Sequence, residues 1–372
     1  MIVSELTKYL EDWAPPGAAW EKDNIGLQVG SGSVKIKNIL LALEINYEVL
    51  DEALKKNCNL IFTHHPLIFS PLKKIDTQKD SKAQLISQLI KNDITLYSAH
   101  TNLDFTKDGV SFELARVLKL KKVKFLENEE SNQYKIVVFV PEENLENLSK
   151  SIFDAGGGII GEYENCSFQL KGEGTFKGSE KSNPAIGKKE IFEKVNEVRL
   201  EVLVDNWKLN KVISAIIKNH PYEEPAYDIY PLKNKNVNYG AGAIGELENE
   251  MGLKEFLQHI QKSLKLTNFR YVKGKDSRIK KVAVCGGSGS DLLKNAIDAN
   301  ADAFITADIK YHTFQDAENK ILFIDAGHYE TEIFALNVVE KKIKKYLEEK
   351  LEDNINVFKF SGSTNPIKFY KQ

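Results

Sequence analysis

The chain reads as an α/β protein of two similar lobes, with an α+β segment inserted between them. Three observations predict this. Short apolar strands alternate with helices from Ile39, a similar progression returns from Lys281, and between about Glu129 and Lys235 the pattern changes to a different order of strands and helices. Strands alternating with helices signal a parallel sheet covered on both faces.

In the first lobe, residues 1–128, "ILLALEI" is a strand, "NYEVLDEALKKN" a helix and "NLIFT" a second strand; the helix "SKAQLISQLIKND" and the strand "ITLYSA" follow. In the middle segment, residues 129–235, "YKIVVFVP" is a strand and "EENLENLSKSIFDAG" a helix. A glycine-rich turn, "GGIIGEYENCSFQLKGEGTFKG", leads to the strand "VNEVRLEVLVD", the helix "KLNKVISAIIKNH" and the strand "AYDIYPL". This is β-α-β-β-α-β, the ferredoxin-like split plait. The polar run "LENEESNQ" suits the surface loop at which a whole domain is inserted. The second lobe, residues 236–372, carries the strand "KVAVCGG", the helix "SDLLKNAIDANA", the strand "DAFITAD", the helical "TFQDAENK" and the strand "ILFIDA".

Net charge is −2, with 28% charged and 42% hydrophobic residues, an ordinary balance for a soluble globular protein. Lysines interleave with glutamates, as in "EKKIKKYLEEKLED", which marks a solvated helix face and gives no strong nucleic-acid signal. No apolar run approaches the ~18 residues of a spanning helix. The start "MIVSELTKYLEDWAPP" has early charges and no apolar h-region, so a signal peptide is not expected. Cys58, Cys166 and Cys285 stand apart with no CxxC pair, which points to a reducing compartment, the cytoplasm by default, and away from disulfides or thiolate zinc.

The chemistry concentrates where strands end. "LIFTHHPLIF" places His64 and His65 at the end of an apolar run, ahead of Pro66. Consecutive strand residues point to opposite faces, and proline stops the strand, so the two imidazoles fan out from one point. Two diverging imidazoles suit either a two-metal site or a structural, hydrogen-bonding role. "YSAHTNLDF" adds His100 and Asp104 after the third strand. "IDAGHYETEIF" adds His328 and Glu332, whose four-residue spacing puts both on one helix face. Four of the seven histidines thus fall at carboxyl ends of predicted parallel strands, the edge where open α/β sheets bind ligands.

Other motifs carry less. "CGGSGSDLL" suits a phosphate cradle or a tight βα turn. "DIKYH" offers Asp308, Lys310 and His312 near the same edge, either as pocket groups or as a helix start. In "WEKDNIGLQVG", Asn24 and Gly26 read as structural or pocket-lining.

Together "THHP", "AHTNLD", "GAGAIGEL", "GGSGSDLL", "TADIKYH" and "DAGHYETE" resemble the Nif-three-like dinuclear-metal proteins, the GTP cyclohydrolase type 2 homologues. The resemblance covers both lobes, and makes them one metal-binding domain. It implies that His64, His65, Asp104, His328 and Glu332 hold two divalent ions (zinc, manganese or iron), with Asp104 as bridge and with His100, Lys310 and His312 as pocket or outer-shell residues. It further implies a hydrolase acting on a small molecule such as a nucleotide, and self-association as a homohexamer. A non-catalytic metal-binding scaffold is the other reading. The middle segment, ending "HPYEEPAYDIYPL", looks like the PII/CutA-like insert of longer members, in which His220 is structural.

Overall fold

A computed structural model describes residues 1–128, 132–275 and 277–370. The expected junction "LENEESNQ" falls partly on residues 129–131, outside the described residues. Met1–Glu127 with Tyr239–Gln372 forms one compact unit and Asn128–Asn238 a second.

The first unit contains two sheets. In one, the strands Asn38–Ala42, Leu60–Thr63 and Thr95–Ser98 run parallel, joined by the helices Tyr47–Lys55 and Ser81–Lys91. Asn46 caps the first helix by accepting from Val49 N at 2.8 Å, and Asp80 caps the second by accepting from Lys82 N at 2.9 Å. The chain leaves both helices through left-handed residues, Asn57 and Asp93, types that tolerate that conformation. Strand residues alternate between two cores. Ile39, Leu41, Leu60, Phe62 and Tyr97 pack with Leu6, Leu10, Val339 and Ile343, whereas Leu40, Ala42, Ile61 and Leu96 pack with Val49, Leu50, Leu85 and Leu89. Burial on both faces is why these strands read as continuous apolar runs.

The second sheet repeats this logic. Arg278–Ser288, Ala303–Ala307 and Leu322–Asp325 run parallel. Val282, Val284, Ile305 and Ile324 face one core with Phe256 and Ile260, while Ala283, Phe304 and Phe323 face another with Leu293 and Ala296. The two sheets exchange edge strands. Lys121–Asn128 lies in the second-lobe sheet beside Gly240–Gly252, and Asn356–Lys359, from the end of the chain, pairs in parallel with Asn38–Ala42. The helix expected at Thr313–Lys320 spans Tyr311–Ala317, and the one expected from Ser290 opens as a 3-10 turn before Leu293–Asp298.

The second unit is the β-α-β-β-α-β plait. Its antiparallel sheet has the order Ser167–Lys177, Phe192–Asp205, Gln133–Pro141, Tyr227–Pro231, and the helices Leu145–Asp154 and Leu209–Asn219 supply Leu148, Ile152, Val212 and Ile216 to its core. The segment read as a glycine-rich turn is largely the strand Ser167–Lys177. Phe168, Leu170 and Phe176 alternate with polar residues, but Gly172 and Gly174 break the apolar pattern, and as an edge strand it buries no residue. His220 is structural: Nε2 donates to Phe139 O at 2.8 Å and Nδ1 accepts from Tyr222 N at 3.1 Å.

Candidate metal centre

Three strand ends and two short helices build the centre, all within the first unit. His64 and His65 follow Thr63 directly; His65 N still pairs with Leu43 O at 2.8 Å, so the chain keeps its register while the two rings diverge, 43° apart in plane with centroids at 4.8 Å. His100 precedes the helical turn Thr101–Asp104. His328 opens the helix His328–Glu332, whose single turn brings His328 Nε2 to 3.1 Å from Glu332 Oε1.

Each of the four imidazoles is held through Nδ1. His64 Nδ1 meets Ala99 O at 2.8 Å, His65 Nδ1 lies 3.1 Å from Glu44 Oε1, His100 Nδ1 2.9 Å from Asp23 Oδ2, and His328 Nδ1 2.7 Å from Asp308 Oδ2. A carbonyl or carboxylate on one ring nitrogen fixes the tautomer and leaves the other nitrogen, Nε2, as a donor for a metal. The Nε2 atoms of His64, His65 and His328 turn on Glu332, at 3.7, 2.8 and 3.1 Å from its oxygens. Ligand atoms of His64, His65 and His100 lie within 4.8 Å of one another, as do those of His65, His328 and Glu332.

Two atoms in this arrangement lack a partner. His64 Nε2 and Asp104 Oδ1 are buried without a hydrogen bond and face each other at 3.5 Å, although 26% of the Asp104 side chain is exposed. A buried carboxylate oxygen and a buried imidazole nitrogen, each without a hydrogen bond, are costly. A cation between them satisfies both, so the residues fit divalent metal.

The sequence model of Duf34/NIF3 (NGG1p interacting factor 3) matches residues 1–366. The chain belongs to the DUF34/NIF3 family. A protein of Halalkalibacterium halodurans named GTP cyclohydrolase 1 type 2 homolog is 40% identical over 366 residues, 98% of each chain. One of the same name in Bacillus subtilis is 38% identical over 367 residues, again 98% of each. The crystal structure of a Bacillus cereus protein related to NIF3 matches with a TM-score of 0.82 at 37% identity, covering 100% of this chain and 99% of that one.

In this DUF34/NIF3 member the remaining predicted residues divide. His100 joins the histidine cluster, with ring centroids 5.3 Å from both His64 and His65. Lys310 is exposed at the start of the helix Tyr311–Ala317, and His312 is exposed with Nδ1 3.0 Å from Gln315 on the same helix. Of "DIKYH", it is Asp308, in a left-handed conformation, that reaches the cluster. The "CGGSGS" stretch is a tight turn. The amides of Gly286, Gly287 and Gly289 donate to Ser111, Thr331 and Thr306 hydroxyls at 3.3, 3.0 and 2.9 Å, which leaves those amides no phosphate to cradle. Gly287 has φ +61°, and a Cβ there would stand 2.1 Å from Glu332 Oε1, so only glycine lets the turn pack against that carboxylate. Asn24 donates to Ile68 O, a structural role.

Sequence reasoning missed Glu44 and Asp23. Glu44 was visible as a lone charge within "ILLALEI"; Asp23, with 1% of its side chain exposed, stands beside the Asn24 that drew attention instead.

The electrostatics describe a site charged with protons. Burial pushes the Asp104 carboxyl up to about 7, against the pull of His64. Burial disfavours charge on His65, but bonds to Glu332 and Glu44 outweigh it and lift the ring to about 10. The Glu332 bond lifts His328 to about 9. Glu332 itself is held well below the usual carboxylate range because the surrounding histidines overcome its burial. Among the described residues, no helix is long and apolar enough to cross a membrane.

Proposed function

We propose that this chain holds two divalent ions through His64, His65, Asp104, His328 and Glu332, with Asp104 as the bridge, and acts as a hydrolase on a nucleotide or phosphoester-like substrate. The observation that carries the metal reading is the orphaned pair His64 Nε2 and Asp104 Oδ1 inside a ring of imidazoles already fixed through Nδ1. The donor set suits zinc, manganese or iron. Bound divalent ions would supply Lewis acidity and charge neutralisation for hydrolysis. The chain's own contribution is orientation. Asp23, Glu44, Asp308 and the Ala99 carbonyl aim the imidazoles, and Glu332 gathers three of them from both sheets. His100 is a further ligand candidate on its distances. The substrate class is supported by the name that the relatives carry, GTP cyclohydrolase 1 type 2 homolog.

Metal analysis of freshly purified protein, followed by a panel of nucleotides and phosphoesters with added metals, tests the reading. Metal-dependent turnover that Asp104→Ala abolishes in a folded protein supports it; a protein that takes up no metal overturns both the metal centre and the hydrolase, and metal-loaded protein with no turnover on any substrate overturns the hydrolase alone. A non-catalytic metal-binding scaffold is then the better reading. It is favoured by one feature: every imidazole in the cluster is already held through Nδ1 and turned inward, leaving none as a separate acid or base.

The plait Asn128–Asn238 we read as a PII/CutA-like insert, supported by its β-α-β-β-α-β order. Homohexameric assembly is supported by the family resemblance, and a cytoplasmic site by three free cysteines.

A further inference from the structure

We infer that the substrate of the metal centre carries a planar heterocycle with N–H donors, and that this ring lies in a slot between Phe269 and the C-terminal tail residues Ile367 and Phe369. The inference rests on the proposed hydrolase.

A cavity of about 450 Å³ is lined by His328 of the metal cluster together with Leu266, Phe269, Ile367 and Phe369. That is a small-metabolite volume. Its outer wall is the end of the chain, and this tail is tied down. Thr364 Oγ1 donates to Glu44, Asn365 Nδ2 donates to Glu330 Oε1 at 2.9 Å, and Ile367 N donates to Asn365 Oδ1 at 2.9 Å. Glu44 is also the carboxylate beside His65 Nδ1, and Glu330 shares a helix with His328 and Glu332. The tail is therefore anchored on the carboxylate that orients His65 and on the helix that carries His328 and Glu332. Past those anchors, Ile367 and Phe369 stay 55% and 53% exposed. Large apolar side chains held at a cluster and left uncovered mark a surface that a ligand completes.

The polar lining specifies what kind of ligand. Asp308, Asp325 and Glu330 line the cavity together with His328 and with Arg270, which bonds through Nη2 to Asp325 and to Ile309 O at 3.2 Å. Asp325 is filled by Arg270, Ile309 N and Gly327 N, but Asp308 and Glu330 each have one oxygen engaged, by His328 and Asn365, and keep the other to accept a hydrogen bond from an N–H group. Aromatic walls add stacking on a planar ring. A nitrogen heterocycle with amino or ring N–H groups satisfies both, while an attached anionic group would reach past His328 to the ions.

The test uses the full chain as purified, with its metal content measured, and the fluorescent probe 2-aminopurine riboside 5′-monophosphate. Binding should quench the probe by stacking, and ribose 5-phosphate, which lacks the ring, should bind more weakly. Phe369→Ala, at an exposed position, should raise the probe Kd about 5- to 100-fold and relieve quenching with metal content unchanged, and Phe369→Trp should restore both. Unquenched probe, equal binding of ribose 5-phosphate, or a Kd unmoved by Phe369→Ala overturns the slot. A Phe369→Ala change that alters sedimentation but not probe binding also overturns it, and assigns the patch to a second copy of the chain. Quenched, Phe369-dependent binding without turnover of any substrate supports the slot and removes the hydrolase.

Discussion

His65 and Glu332, 267 positions apart in sequence, meet at 2.8 Å between Nε2 and Oε2. One residue ends a strand of the first sheet; the other lies on the helix that follows the last parallel strand of the second. The centre exists only where both sheets are in place, and its behaviour should report on both.

Asp104→Ala should remove both ions, whereas His65→Ala should mainly weaken one. A lost outer-shell contact typically costs ~10–100-fold in affinity or activity, and losing a ligand should cost at least that. Metal content by mass spectrometry after dialysis checks it. An Asp104→Ala protein that retains two ions and full activity contradicts the bridge.

Asp104→Asn should do the reverse to stability. In metal-free protein at pH 8, above the value of about 7 to which burial pushes this carboxyl, a neutral amide replaces a charged carboxylate whose buried Oδ1 has no hydrogen bond. The metal-free melting temperature should rise while metal affinity falls. A lower melting temperature would show that Asp104 is well accommodated without metal.

Asp308→Asn and Asp23→Asn should each lower metal affinity ~10–100-fold without unfolding the protein, because each frees an imidazole to rotate away from its aim. Competition with a chromogenic chelator measures this. Unchanged affinity in both variants would leave these carboxylates no role at the site.

Metal-free protein should lose stability as pH rises. His65 and His328 have folded values of about 10 and about 9 against ~6.5 unfolded. Their contribution is full below the unfolded value and lost as pH climbs through the folded ones. Asp104, raised to about 7 from ~3.9, is lost in the same direction. Glu332, lowered, acts oppositely and only toward acid. Thermal scans with chelator from pH 6 to 10 should therefore fall, and saturating metal should flatten the curve; a rise contradicts the assignment.

Replacing residues 129–235 by a short Gly/Ser linker should leave both ions bound, since every proposed ligand lies outside that segment. Asn128 Nδ2 donates to Asn236 O at 3.0 Å, so the chain enters and leaves the second unit at nearby points and a short linker suffices. A folded, correctly assembled truncation without metal would refute this.

The parallel strands were legible because burial on both faces makes them continuously apolar, and the metal residues because polar groups stood where such runs stopped. Other features were not. Ser167–Lys177 is an exposed edge strand whose alternation is broken by Gly172 and Gly174, and Lys121–Asn128 and Asn356–Lys359 join sheets far from their sequence neighbours, which no local pattern encodes. Glu44 and Asp23 escaped because an outer-shell carboxylate resembles any other acid until the imidazole it holds is in view.

The exchanged edge strands also set an order of assembly during synthesis. The first sheet lacks its strand Asn356–Lys359 until the second lobe has been made, and Lys121–Asn128 must wait for Gly240–Gly252 to be translated. The plait Asn128–Asn238 takes the four strands of its sheet from one continuous stretch, and contiguous units fold as they emerge. The middle of the chain should become protease-resistant on the ribosome before the amino-terminal part does. Stalled chains ending near residue 260 would display it: a protected plait preceded by a sensitive first lobe, and the opposite protection pattern would show that the first sheet closes without its final strand.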